Sequence, residues 1–253
     1  MREAKRNAVA WVLDVLGAGP GCDIRAADSD AIDWNHVVAF ASSQLILPAL
    51  AGRIGGAMVA PPDEVGAFLD GIEARNLARN EALRAALFEI GAAFEGISAP
   101  PIVLKGGAFL LDALEQERCA AWRFMSDLDV LVGEAELDHV IERLEGLGFR
   151  AVEAGGALGA GHHAPPMIAP CGTYCVEPHI RLSDRDEAGL SPDEMRARAV
   201  PAGHRLLAPS PVDRLGHMIG HAQLHNRNAV VGRVVLKDIV DLQVLGRMIE
   251  IDG

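Results

Sequence analysis

Two aspartates, Asp127 and Asp129, stand one residue apart in the stretch RFMSDLDVLV, residues 123–132. The Leu and Val residues around them read as a β-strand. Residues two apart on a strand project from the same face. Two carboxylates held that close repel one another unless a counter-charge lies between them. A divalent cation supplies one, and Mg²⁺ is commonly held by one or two carboxylates together with substrate phosphates. A solvated acidic strand end has the same spacing, so the pair gains its meaning from its neighbours.

Upstream, VLKGGAF sets Gly106 and Gly107 between a predicted strand and a predicted helix, with Lys105 beside them. Backbone amides at a helix start, bare of side chains, form an anion cradle, and Lys105 adds positive charge. The stretch is neither a P-loop nor a complete dinucleotide fingerprint. Downstream, TYCVEPHIRL reads as another strand, with Cys175, Glu177 and His179 on one face. Pro178 cannot donate to a ladder, which predicts an edge position for this strand. Cys171, Cys175, His179 and a loop histidine could bind zinc, although their spacing matches no ribbon or finger template. HMIGHAQLH sets His217, His221 and His225 along one stripe of a predicted helix. No carboxylate is interleaved there as in a His-Glu-x-x-His helix, so the stripe reads as a face turned toward the sheet.

The elements that must position these residues follow from periodicity. Residues 1–97 carry apolar side chains at three- and four-residue spacings and read as helical, with Asp33 capping the second helix and Pro61–Pro62 opening the third. Strands are predicted in PPIVLKGG, SDLDVLV, FRAVEA and TYCVEPHIRL, with helices in AFLLDAL and EAELDHVIERLEGLG. That alternation makes the middle of the chain an α/β or α+β unit. Residues 210–250 return to a helical pattern, with Lys237 and Asp238 opening the last helix.

Composition narrows the partners. The chain has 253 residues, 50% hydrophobic and 23% charged, with a formal net charge of −12 and 4% aromatics. An acidic chain poor in aromatics disfavours bulk nucleic-acid binding. It still permits one small anion held by local basic residues and a metal. Arg75, Arg79 and Arg84 recur on a predicted helix and read as a solvated face. No apolar run is long enough to span a bilayer. The amphipathic N-terminus is interrupted by Asp14 and does not read as a signal peptide. Four cysteines (Cys22, Cys119, Cys171, Cys175) are too few for a disulfide scaffold. A cytoplasmic protein is expected.

LKGGAFLLDAL, RFMSDLDVLV, a helix ending in LEGLGF, then HHAPP and CVEPHIRL follow one another in order. From about Ile102 to Leu182 this series resembles the uncharacterised nucleotidyltransferase family of the polymerase-β-like nucleotidyltransferase superfamily. SPVDRLGHMIGHAQLH and LKDIVDL echo it more loosely. The resemblance implies an α+β fold: a small mixed-sheet nucleotidyltransferase core at 98–209, flanked by helical regions at 1–97 and 210–253. It implies that Asp127, Asp129 and Glu177 bind Mg²⁺ or Mn²⁺ and carry catalysis, and that Lys105, Gly106, Gly107 and Arg123 hold a nucleoside triphosphate, ATP first among them. His163, His179 and His221 would line the acceptor pocket. The implied activity is transfer of a nucleoside monophosphate to a small molecule, peptide or protein group. The alternative is an inactive core serving as a binding module.

Overall fold

Helix starts follow the capping residues. Asp33 accepts a hydrogen bond from the His36 amide at 3.1 Å and caps helix α2, Trp34–Ser43. Pro61–Pro62 precede α4, Asp63–Ala93, which has Asp63 and Glu64 in its first turn, where acidic residues complement the helix dipole. Together with α1, Arg2–Gly17, and α3, Leu47–Ile54, these are the N-terminal helices. The computed structural model describes residues 2–17, 32–54, 61–112, 121–152, 164–183, 191–225 and 228–252. No helix among them is long and apolar enough to cross a membrane.

The chain forms two compact units. The helical unit comprises Met1–Glu81, Glu117–Phe124 and Val235–Asp241. Its core is built from Trp11, Val12, Val15, Trp34, Val37, Leu50 and Leu69, with the Trp11 and Trp34 rings edge to face at 5.0 Å. The Asn76 side-chain amide donates to the carbonyls of Ala121 (2.9 Å) and Arg123 (3.2 Å), and that of Asn80 donates to Arg123 (2.7 Å). These bonds tie residues 121–123 to α4.

The second unit comprises Ala82–Gln116, Met125–Val234 and Leu242–Gly253. It is α+β. Its strands are β1 (Ile102–Val103), β2 (Asp127–Leu131), β3 (Arg150–Ala151), β4 (Met167–Ile168), β5 (Cys175–His179), β6 (Val200–Gly203) and β7 (Leu206–Ala208). They form one mixed sheet in the order β3-β4-β5-β2-β1-β7-β6. β1 runs antiparallel to β2, and β5 runs parallel to it. The helices are α5 (Lys105–Leu111), α6 (Leu137–Gly146), α7 (Pro192–Arg198), α8 (Pro211–Ile219), α9 (Asn228–Val231) and α10 (Leu236–Asp252). The last of these begins in the helical unit and ends in this one.

Strand alternation gives the sheet two chemically different faces. Val103, Leu128, Val130, Val132 and Val176 point into a core with Leu87, Ile90 and Phe94 of α4, Leu110 of α5, and Val140 and Leu144 of α6. The other face carries Asp127 and Asp129 on β2 and Cys175, Glu177 and His179 on β5, with Ile102, Leu131, Leu182 and Met195 closing a smaller apolar cluster. The apolar face of β2 is therefore what fixes the register that aims its aspartates the other way.

One expectation is corrected. Pro178 does not mark an edge, because β5 lies between β4 and β2. The Cys175 amide bonds to Ser126 and the His179 carbonyl accepts from Val132, so the odd-numbered residues of β5 bond toward β2. The missing Pro178 N–H thus faces the other way, where β4 has already ended at Val176 and Cys175. The β6–β7 hairpin escapes sequence reading because His204 (φ 47°) and Arg205 (φ 60°) make its turn, instead of the Asn-Gly pair that usually signals one. The stretch 210–250 is helical as expected, turning π-helical at Gly220–His225 and breaking between α9 and α10.

Gly107 shows how tightly α5 seats on the sheet. A Cβ there would stand 2.7 Å from Val103 Cγ1 and in contact with Leu128 and Leu87. Val103 is buried and stiff at χ1, so it cannot swing clear. Gly107→Ala is expected to destabilise the protein by about 1–3 kcal/mol, read as a lower urea midpoint with an unchanged m-value. An unshifted midpoint would contradict the packing.

Candidate functional site

The site grows from the pairing of three strands. Val103 pairs with Val130, and the next amide, that of Leu104, donates to the Asp129 carbonyl at 2.8 Å. This delivers Lys105 to the level of Asp129. Lys105 then adopts a left-handed conformation, φ 45°, which costs a non-glycine residue roughly 1–2 kcal/mol. Its Nζ donates to Asp129 Oδ1 at 2.5 Å. On the other side, the parallel register sets Glu177 opposite Asp129 and His179 opposite Leu131. His179 Nε2 donates to the same Oδ1 at 2.7 Å and lies 3.8 Å from Glu177 Oε2.

Asp129 is 3% exposed. Burial on its own pushes its carboxyl up, but the His179 hydrogen bond and the Lys105 charge outweigh it and hold the group well below the usual carboxylate range. The carboxylate is therefore ionised, buried and doubly bonded at one oxygen. Asp127 shares its face one pair along the ladder, opposite Cys175. The thiol senses the result: burial, then Glu177, Asp127 and Asp129, push Cys175 up to about 11. The face is electronegative apart from Lys105.

A fourth element closes over this group. The Ser210 hydroxyl caps α8 by accepting from the Asp213 amide at 3.2 Å. Arg214 of α8 pairs with both carboxylate oxygens of Asp112, the residue that ends α5 (Nη2–Oδ1 2.9 Å). The helix bearing Lys105 is so tied to the helix bearing His217. His217 is buried, and its imidazole is pushed down to about 4 by burial and by the Lys105 charge, against the pull of Asp129 and of a hydrogen bond with the Leu182 backbone. It stands neutral beside the ion pair at neutral pH.

Asp129, Glu177 and His179 offer three ligand atoms that all lie within 4.8 Å of one another, a set that could hold a metal ion. Two oxygens and one imidazole nitrogen fit a divalent cation. Asp127 shares the face but stands outside this group of three. Among the described residues Cys171, Cys175 and His179 do not gather as a zinc site: Cys171 is exposed and contacts the Thr173 hydroxyl at 3.1 Å, while His179 turns to Asp129; the expected loop histidine lies outside those residues.

The remaining expected residues are distributed as follows. Gly106 and Gly107 open α5 and are buried. Arg123 belongs to the helical unit, where its Nε donates to both oxygens of Asp241 at 3.0 and 3.1 Å. His221 is half-buried, its ring 6.3 Å from that of His217. His163 lies outside the described residues. Sequence reasoning missed the direct His179–Asp129 bond and the burial of His217 beside Lys105. The alternation of TYCVEPHIRL does place Glu177 and His179 on one face, but no local signal says which strand they pair with.

The chain matches the sequence profile of the uncharacterised nucleotidyltransferase family over residues 30–252, and it belongs to that family. No protein of curated function and no solved structure matches it. Membership makes this a transferase fold whose substrate is a nucleotide.

The His217 environment has a pH signature. Folded His217 takes a proton only near pH 4, whereas the unfolded chain takes it near 6.5. Stability from this group is therefore complete above pH 6.5 and is lost as pH falls toward 4. Between pH 7 and pH 5 the loss is on the order of 2 kcal/mol. Urea titrations should show this decline in the wild type and a flatter profile in His217→Gln. Parallel profiles would contradict the assignment.

Proposed function

We propose that this member of the nucleotidyltransferase family is a polymerase-β-like, metal-dependent enzyme that moves a nucleoside monophosphate from a nucleoside triphosphate, ATP first among the candidates, to an acceptor hydroxyl. The acceptor is a small molecule or a group on a peptide or protein. In the reaction the acceptor oxygen bonds to the α-phosphorus, the bond from that phosphorus to the β-phosphate bridging oxygen breaks, and pyrophosphate leaves with the electron pair. Asp129 and Glu177, with Asp127 beside them, would hold Mg²⁺ or Mn²⁺, which would supply positive charge to neutralise the triphosphate. Glu177 or Asp127 accepts the hydroxyl proton. Lys105, at the start of α5, exchanges Asp129 for a phosphate oxygen, and the small Gly106 and Gly107 that follow it let α5 seat closely on the sheet.

The observation that carries this reading is the pairing of Asp129 with Glu177 across two parallel strands, with Lys105 2.5 Å from Asp129. Pro178 leaves that geometry intact, since it projects to the opposite face and Glu177 still opposes Asp129. A second reading, a binding module without turnover, is favoured by the internal neutralisation of Asp129 by Lys105 and His179. Thermal shift with ATP, with and without Mg²⁺ or Mn²⁺, tests for a nucleotide site: a metal-dependent rise supports the enzyme, and a flat response supports the module.

Labelled triphosphates offered with a cell extract test turnover. Asp129→Asn and Glu177→Gln should each lower label transfer about a hundred- to a thousand-fold, with circular dichroism unchanged. Transfer at the wild-type rate in either variant would overturn the assignment.

A further inference from the structure

We propose that His179 is itself a metal ligand, so that the cation site of this chain is an oxygen–oxygen–nitrogen set that selects Mn²⁺ over Mg²⁺. The inference rests on the cation site proposed above and goes beyond it, because the carboxylates alone would form an all-oxygen site.

The geometry supports direct ligation. Octahedral ligands at about 2.1 Å from a cation stand about 3.0 Å apart when adjacent and about 4.2 Å apart when opposed. His179 Nε2 lies 2.7 Å from Asp129 Oδ1 and 3.8 Å from Glu177 Oε2, and all three ligand atoms fall within 4.8 Å of one another. The two separations from Nε2 match that range to within about 0.3 Å, and a 4.8 Å bound on the remaining pair lies about half an ångström beyond it, within reach of a side-chain rotation. A histidine serving only to orient Asp129 needs to reach Asp129 alone. His179 points between two carboxylates.

Mobility decides which partner of Asp129 gives way. Lys105 and His179 share Oδ1, and a cation bound there must displace a positive donor. The Lys105 side chain is 25% exposed and flexible, and a triphosphate offers it a new partner. The His179 side chain is 2% exposed and is carried on a strand hydrogen-bonded to β2. It has no path out, so a cation that reaches Asp129 and Glu177 arrives within bonding distance of Nε2, which ligates once the imidazole carries its proton on Nδ1 instead. Mg²⁺ prefers oxygen and keeps its waters, whereas Mn²⁺, the first of the transition series in the affinity order, is softer than Mg²⁺ and accepts an imidazole nitrogen beside carboxylate oxygens more readily. A nitrogen in the set therefore moves preference away from Mg²⁺.

The test is electron paramagnetic resonance on the full chain with Mn²⁺ as the probe, alone and with ATP. The wild type is expected to bind Mn²⁺ and to show ¹⁴N electron spin-echo modulation from a directly bound imidazole. His179→Gln should abolish the modulation and weaken Mn²⁺ binding by about tenfold or more. His179→Glu, an all-oxygen set, should remove the nitrogen signal while letting Mg²⁺ compete better against Mn²⁺ than it does in the wild type. The wild-type spectrum is decisive even if a variant fails to fold. Mn²⁺ bound without ¹⁴N modulation, or modulation that survives in His179→Gln, overturns His179 as a ligand and leaves the proposed function standing. No Mn²⁺ binding, with or without ATP, overturns both.

Discussion

The sheet unit depends on neutralising one buried carboxylate. Taking an ionised carboxylate out of water costs several kcal/mol, and leaving it without its partner costs about 3–5 kcal/mol. Asp129 is 3% exposed and accepts from Lys105 and His179 at a single oxygen. Those two partners come from opposite sides along the sheet. The antiparallel register of β1 brings Lys105, and the parallel register of β5 brings His179. A slip of one residue in either strand would turn its partner to the other face and strand the charge. The electrostatics of Asp129 and the topology of the central three strands therefore support one another.

The same arrangement sets the chemistry. One carboxylate is balanced internally, while Asp127 and Glu177 add negative charge that, after burial, helps push the Cys175 thiol up to about 11. A face of this kind could hold a cation, and in the proposed function that cation would bring a nucleotide to a chain whose net charge is −12. The Arg214–Asp112 pair fixes the end of α5, the helix that Lys105 opens. His217, neutral and buried, adds no competing charge.

Much of this is legible in the sequence, and the gaps have physical causes. Asp33 as a cap, the Pro61–Pro62 helix start and the shared face of Asp127 and Asp129 are local properties of capping and period, and each appears as read. The family follows from an ordered series of short pieces. What is not local escapes. Pro178 suggests an edge because sequence shows the missing donor but not that β4 stops after two residues. The β6–β7 turn is made by His204 and Arg205, which carry no turn signal. Arg123 stands four residues before Asp127, and only the fold shows that its guanidinium bonds to Asp241, 118 residues away. Glu177 and His179 are visible as a pair, but their placement against Asp129 depends on which strands neighbour each other.

The most direct measurement is anomalous diffraction from crystals grown with Mn²⁺ and a non-hydrolysable ATP analogue. A manganese peak is expected about 2.1–2.4 Å from carboxylate oxygens of Asp129 and Glu177, with Lys105 moved from Asp129 to the triphosphate. A map with the nucleotide bound elsewhere, no peak at these carboxylates and Lys105 still on Asp129 would contradict it.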